Sequence, residues 1–136
     1  MKFLVLLFLL FQRPAYALDF VIIVNPNGPL VKADMEVVRD IYLGETRFIR
    51  DIKLKPVNST EGELKDIFLK RVVGMGLKEY RLHWVKKVFG EGLTIPPSFA
   101  TTGDIVGFVR REEGAIGYIP KEESSGMEGV TVISPP

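Results

Sequence analysis

Cysteine is absent from this chain of 136 residues, and histidine occurs once, at position 83. The first absence removes thiol catalysis, thiolate metal ligation and disulfides, so a folded domain must rely on burial. The second removes any histidine pair, Ser-His-Asp triad or zinc constellation, and it leaves His83, beside Trp84, as a packing residue. No metal or cofactor is expected. A surplus of one charge is also missing, with 18 basic residues against 17 acidic ones. Nucleic-acid binders usually show an excess of Lys and Arg, so this balance gives that class no support. The adjacent acids Glu112-Glu113 and Glu122-Glu123 sit on polar segment ends and read as solvated surface, not as a catalytic carboxylate dyad.

A run long enough to span a membrane is lacking as well. The apolar stretch Phe3 to Phe11 has nine residues, short of the roughly 20 that a spanning helix needs. With Lys2 before it and Ala15-Tyr16-Ala17 after it, the stretch reads as an export signal over residues 1–17. Cleavage near Ala17 starts the mature chain at Leu18, and the expected address is the periplasm or another exported location. Residues 18–136 then form one domain of ordinary size. Loss of Lys2 and Arg13 takes the net charge from +1 to −1.

Within that domain, apolar Phe20 to Val24, bounded by Asn25-Pro26-Asn27-Gly28-Pro29, has the pattern of a strand buried on both faces. The spacing of Met35, Val38, Ile41 and Tyr42 predicts a helix over 34–43, ended by Gly44 in a left-handed cap. Arg47 to Asp51 reads as a charged loop. Lys53 to Asn58 reads as a strand that Pro56 confines to a sheet edge or a strand end. Leu64, Ile67, Phe68 and Val72 predict a helix over 62–73, broken at Gly74-Met75-Gly76. A further helix over 78–89 presents Tyr80, Trp84, Val85 and Val88 on one side. After a loop from Gly90 to Pro97, Ser98 to Ala100 fits a short strand. Thr101-Thr102 then opens a helix to Arg111 that buries Ile105, Phe108 and Val109. Ala115 to Ile119 and Val130 to Ile133 complete the strands, with a polar turn region between them. Strands alternating with helices imply an α/β layer structure with a mixed or mostly parallel sheet.

Three segments, taken in order, carry a family likeness: Val24-Asn25-Pro26, Ile41-Tyr42-Leu43-Gly44 and Gly114-Ala115-Ile116-Gly117-Tyr118. From Asp19 to Pro120 the chain resembles the second half of phosphate-type substrate-binding proteins, the periplasmic receptors of solute-import ABC transporters. The resemblance implies one lobe of a type II periplasmic-binding-protein fold, a three-layer α/β sandwich with a mixed, mostly parallel sheet. It implies binding rather than catalysis, with an oxyanion such as phosphate as ligand and a membrane transporter or sensor protein as partner.

In that family the anion is held where a loop enters a helix, by an Arg followed four residues later by Ser-Gly-Thr. Registered on Phe68, the matching segment runs from Asn58 to Leu64. Asn58 then replaces the Arg, Gly62 the Ser, Glu63 the Gly and Leu64 the Thr, so each side-chain ligand is missing. Glu61 and Glu63 place carboxylates in the first turn, where they complement the helix dipole and repel an anion. Ser59 or Thr60 fits a cap for this helix, and ligand contact is the alternative. Thr101 and Thr102 offer two hydroxyls at another helix start, again with capping as the plainer role. Asn25 and Asn27 stand at the end of the first strand, where open α/β sheets bind ligands, although such residues also shape turns.

The candidate ligand-binding edge is therefore Asn25, Asn27, Ser59, Thr60, Gly62, Thr101 and Thr102. The expected function is weak or partner-assisted recognition of an anion, without enzymatic activity, since nothing assembles a nucleophile, a base and an oxyanion site. The alternative is an interaction module that docks a membrane sensor or envelope complex through Leu93, Ile95, Pro96, Pro97 and Phe99, with ligand binding lost.

Overall fold

The computed structural model describes residues 18–133, so the expected signal segment and its cleavage site lie outside the described residues. The strand β1 (Phe20–Val24) has every residue buried, as its unbroken apolar run requires. Asp34 caps the helix α1 (Met35–Tyr42), accepting from the Val37 amide, and Val38, Ile41 and Tyr42 face the core. Gly44 ends the turn at φ 75°, in the left-handed region that glycine enters without strain.

Next come the two-residue strands β2 (Phe48–Ile49) and β3 (Ile52–Lys53), paired antiparallel. The expected charged loop is thus a tight hairpin, turned at Arg50 and Asp51 with φ of 48° and 67°. Two successive positive-φ residues are what a two-residue hairpin turn demands, and no glycine announced it here. The single strand expected over 53–58 is divided among β3, β4 (Lys55–Pro56) and β5 (Asn58–Ser59), which belong to three different sheets.

The helix α2 (Glu63–Phe68) continues as a π-helical turn over Leu69–Val73 and stops at Gly74 in a left-handed conformation. The helix α3 (Leu77–Glu91) buries Tyr80 and Trp84. Val85 and Val88, expected on the same buried side, are exposed together with Leu82 and Phe89. For Leu82, Val85 and Phe89 the reason is geometric: at 100° per residue all three fall outside the arc centred on Tyr80 and Trp84. After β6 (Ser98–Phe99) comes α4 (Thr102–Arg111), with Ile105, Val106 and Val109 buried and Phe108 only partly so. The strands β7 (Ala115–Pro120) and β8 (Thr131–Ile133) close the described chain.

The main sheet has the order β4-β7-β1-β8. It is mixed, as expected, but β1 runs antiparallel to both β7 and β8, and only β4 and β7 are parallel. The mostly parallel sheet expected from helix–strand alternation is therefore not the observed one. That alternation implies parallel neighbours only when a helical crossover joins them, and the neighbours of β1 come from the far end of the chain. Pro56 does sit on an edge strand, where its missing N–H costs no ladder bond.

Side chains alternate across the sheet. Phe20, Ile22, Val24, Ile116 and Tyr118 pack with α1, α2 and α3 on one face, while Val21, Ile23, Ala115 and Ile119 pack with α4 on the other. The result is a three-layer α/β/α sandwich. Phe68 stacks on Tyr118 at 3.8 Å and meets Phe20 and Tyr42 edge-on. Aromatic pairs of this kind contribute about 0.5–1.5 kcal/mol each beyond their buried area.

Candidate functional site

The seven candidate residues fall at two places. Ser59 belongs to β5, which pairs parallel with β6 in the register Asn58↔Ser98 and Ser59↔Phe99. The Thr60 amide adds a bond to the Phe99 carbonyl at 3.2 Å. Because α4 starts three residues after Phe99, this pairing brings the Ser59–Gly62 loop beside Thr101 and Thr102. Asn25 lies elsewhere. Its side-chain amide donates to the carbonyls of Val109 at 3.0 Å and Arg110 at 3.2 Å, in the last turn of α4. Thr101 caps the other end of the same helix, accepting from the Asp104 amide at 3.1 Å. A ten-residue helix is about 15 Å long, so the single edge expected to join Asn25 and Asn27 to Thr101 and Thr102 does not exist.

The Asn25 side chain has no group to spare. Its carbonyl oxygen accepts from the Asn27 amide at 2.8 Å, a turn of the kind short polar side chains favour. Asn27 itself is exposed on this turn.

At the Ser59 end, Asn58 is only 1 % exposed. It donates to the Tyr80 hydroxyl at 3.1 Å and accepts from the Tyr118 hydroxyl at 2.9 Å, and the Tyr118 oxygen in turn accepts from the Ser59 amide at 3.1 Å. At the position where the family resemblance implies an arginine, this chain has a buried amide that pins the loop to the core. Burial raises the Tyr118 hydroxyl far above its usual range and pushes Tyr80 up to about 12, the Asn58 bond opposing the latter shift. Sequence reading missed this network; the signal lay in Tyr80 and Tyr118, since a buried tyrosine hydroxyl needs a partner.

The helix α2 starts at Gly62 with no side-chain cap, so neither Ser59 nor Thr60 fills the capping role open to them. Glu61 turns away to an ion pair with Arg81, and this hydrogen bond and charge hold its carboxyl below the usual range. Lys65 stands nearby, its ammonium 5.7 Å from the centre of the Tyr80 ring, and partial burial lowers its pKa. The repulsion expected from Glu61 is therefore largely offset, while Glu63 remains exposed. Among the described residues, no group of three or more His, Asp or Glu converges as a metal site. His83 donates from Nε2 to the Leu43 carbonyl at 2.7 Å, a packing contact.

The docking loop lines a different feature. Leu93, Ile95, Pro96 and Pro97 form one wall of a 470 Å³ groove, and the β2–β3 hairpin forms the other. Phe99 packs instead against Phe108.

This arrangement is a three-layer α/β fold with a mixed sheet. No known sequence-family profile matches the chain, and no curated protein sequence matches it. Among solved structures, it is similar to a candidate phosphate ABC transporter substrate-binding protein from Clostridium perfringens, solved with phosphate bound. That match has a TM-score of 0.61 at 22% identity, over 84% of this chain and 43% of the other. An ABC-type phosphate transport receptor from Vibrio cholerae gives 0.61 at 16% identity, over 87% of this chain and 47% of that one. A candidate phosphate-binding protein from Planctomyces limnophilus gives 0.54 at 11% identity, over 84% and 40%. The chain thus spans less than half the length of each of these three structures. The similarity is one of fold, and these neighbours are described as binding proteins rather than enzymes. No helix among the described residues is long and apolar enough to cross a membrane.

Proposed function

We propose that this chain is an exported, non-enzymatic anion-recognition lobe, which holds an oxyanion such as phosphate weakly on its own and more firmly when a second protein surface closes over the site. The observation that supports this most is the β5–β6 pairing, which draws Ser59, Thr60 and Gly62 beside Thr101 and Thr102 on a fold whose solved neighbours include one with phosphate bound. The groups on offer there are the hydroxyls of Ser59, Thr60 and Thr102 and the uncapped first turn of α2. Export through residues 1–17, with cleavage near Ala17, and service to a membrane transporter or sensor belong to the same reading.

The expected affinity follows from what the edge lacks. Micromolar capture corresponds to about −8 kcal/mol, whereas a helix start contributes about 0.3–1 kcal/mol toward a charge. Charge-assisted bonds contribute about 1.5–3 kcal/mol each, but the guanidinium that would make them is replaced by buried Asn58. Solvent exposure of the edge lowers every such term further. Capture by the isolated chain therefore belongs in the millimolar range.

Calorimetric titration of the purified chain with phosphate, sulfate and arsenate tests the reading. A weak saturable isotherm, reduced in a Ser59→Ala, Thr60→Ala double variant, is the expected result. A flat titration at tens of millimolar anion rules out recognition by this chain unaided.

A further inference from the structure

We propose that the groove between the β2–β3 hairpin and the 92–97 loop binds a small amphipathic carboxylate, with an apolar tail between its walls and its charged head at Arg47 and Lys53. The inference is independent of the oxyanion reading, because none of the seven edge candidates lines this groove.

Size comes first. At 470 Å³ the groove lies in the range of small-molecule sites, about 300–1,000 Å³. Its walls are apolar and held apart: Phe48 on the hairpin is 56% exposed and Ile95 on the loop is 48% exposed. Large apolar side chains left open to water on opposite walls gain by taking an apolar body between them.

The floor is rigid. The Trp84 indole donates to the Tyr42 carbonyl at 3.1 Å. A Cβ at Gly44 would come within 2.8 Å of the Trp84 ring and 3.3 Å of Leu93. Glycine at 44 is thus what lets α1 close against the tryptophan. A preformed floor of this kind limits the ordering cost of binding.

Charge selects the headgroup. Arg47, Lys53 and Lys55 line the groove, and none of its lining residues is acidic. Glu112 already holds Lys55 at 2.9 Å. Arg47 and Lys53 have no ion-pair partner among the described residues; both line the groove, with Lys53 directly across from Phe48 of the apolar wall. An arginine fork suits a carboxylate in particular. Bare phosphate would leave the walls wet, and a neutral lipid would leave the cations unmatched.

The backbone argues against a peptide strand as occupant. Strand addition requires free main-chain donors along an edge. On this edge Pro56 has none, and the Leu54 amide is bonded to the Arg47 carbonyl at 2.8 Å. Across the groove Pro96 and Pro97 have none either.

Trp84 is the sole tryptophan of the chain and lines the groove, so its fluorescence reports occupancy. The purified chain is titrated with decanoate, decanol and inorganic phosphate. Decanoate is expected to give a saturable change, decanol one at least tenfold weaker, and phosphate none. An Arg47→Ala, Lys53→Ala double variant with an unchanged circular dichroism spectrum is expected to weaken decanoate at least fivefold while leaving decanol as it was. No saturable change with decanoate, equal affinity for decanoate and decanol, or a double variant that binds decanoate normally would each overturn the proposal. Millimolar phosphate binding detected by calorimetry without a Trp84 response would support the edge reading separately from this one.

Discussion

At one end of the sheet Asn25 is buried against the last turn of α4, and at the other end Asn58 is buried between two tyrosine hydroxyls; these are the two buried polar side chains among the described residues. The surroundings of each differ in kind. Around Asn25 backbone lies on backbone: a Cβ at Gly28 would fall 1.9 Å from the Glu113 carbonyl oxygen, and one at nearby Gly114 would fall 2.0 Å from that of Lys53. Around Asn58 side chains do the holding, and the loop they support is open, so that a Cβ at Gly62 would meet nothing closer than 3.9 Å. A closed end has neither room nor unused donors for a ligand. The open end keeps both.

Alkaline titration should separate the two ends most strongly. Tyr42, Tyr80 and Tyr118 are all raised above the usual tyrosine value, mainly by burial, Tyr80 to about 12. A raised folded value means stability is fully present below the unfolded pKa near 10 and is lost as pH rises through the folded one. Tyr80 alone then accounts for about 3 kcal/mol over that window, with Tyr42 and Tyr118 adding to it. Tyrosinate absorbance should therefore rise together with cooperative unfolding; independent ionisation of a still-folded protein would refute the burial of these hydroxyls.

Asn58→Ala should come next, at about 4 kcal/mol in urea unfolding, because it strands two buried hydroxyl partners and opens a cavity. It should also lower the pH at which the alkaline transition begins. Gly28→Ala at the closed end should cost about 3 kcal/mol, since two backbones must separate. A Gly28→Ala variant as stable as the parent would mean that this end is looser than described.

Gly62→Ser is the smallest effect and the sharpest probe of the open end. Its backbone is extended, at φ 161°, and the space is free, so stability should change by less than about 0.5 kcal/mol, with a slight gain from a new cap. The same substitution returns a hydroxyl to the position where the resembled receptors have Ser. Calorimetry should show tighter phosphate binding in the Gly62→Ser variant, and tightening confined to that variant would mark the edge as the anion surface.

Much of the architecture was legible locally. The unbroken apolar run of β1, the Asp34 cap and Gly44 stop of α1, and the Thr101 start of α4 each declare themselves within a few residues, because periodicity and capping are short-range effects. The hairpin at 47–54 was not legible, since its turn uses Arg50 and Asp51 at positive φ instead of glycine. The grouping of the candidate residues was only half legible. The Ser59–Gly62 and Thr101–Thr102 segments appeared as candidates, but nothing local told that Asn25 stands at the opposite end of α4, or that Glu61 leans to Arg81. Nor did the groove appear as one object, because its two walls come from segments about forty residues apart in sequence.

By itself, then, the sequence determined most of the helices and the long strands, the α/β layer class, and the exclusion of thiol and paired-histidine chemistry; composition and local spacing suffice for those. Tertiary structure alone decided the neighbours of β1, the burial of Asn58 between Tyr80 and Tyr118, and the gap between hairpin and loop. Those depend on which distant surfaces come to lie together, and contacts across long sequence separations leave no periodic mark in the chain that makes them.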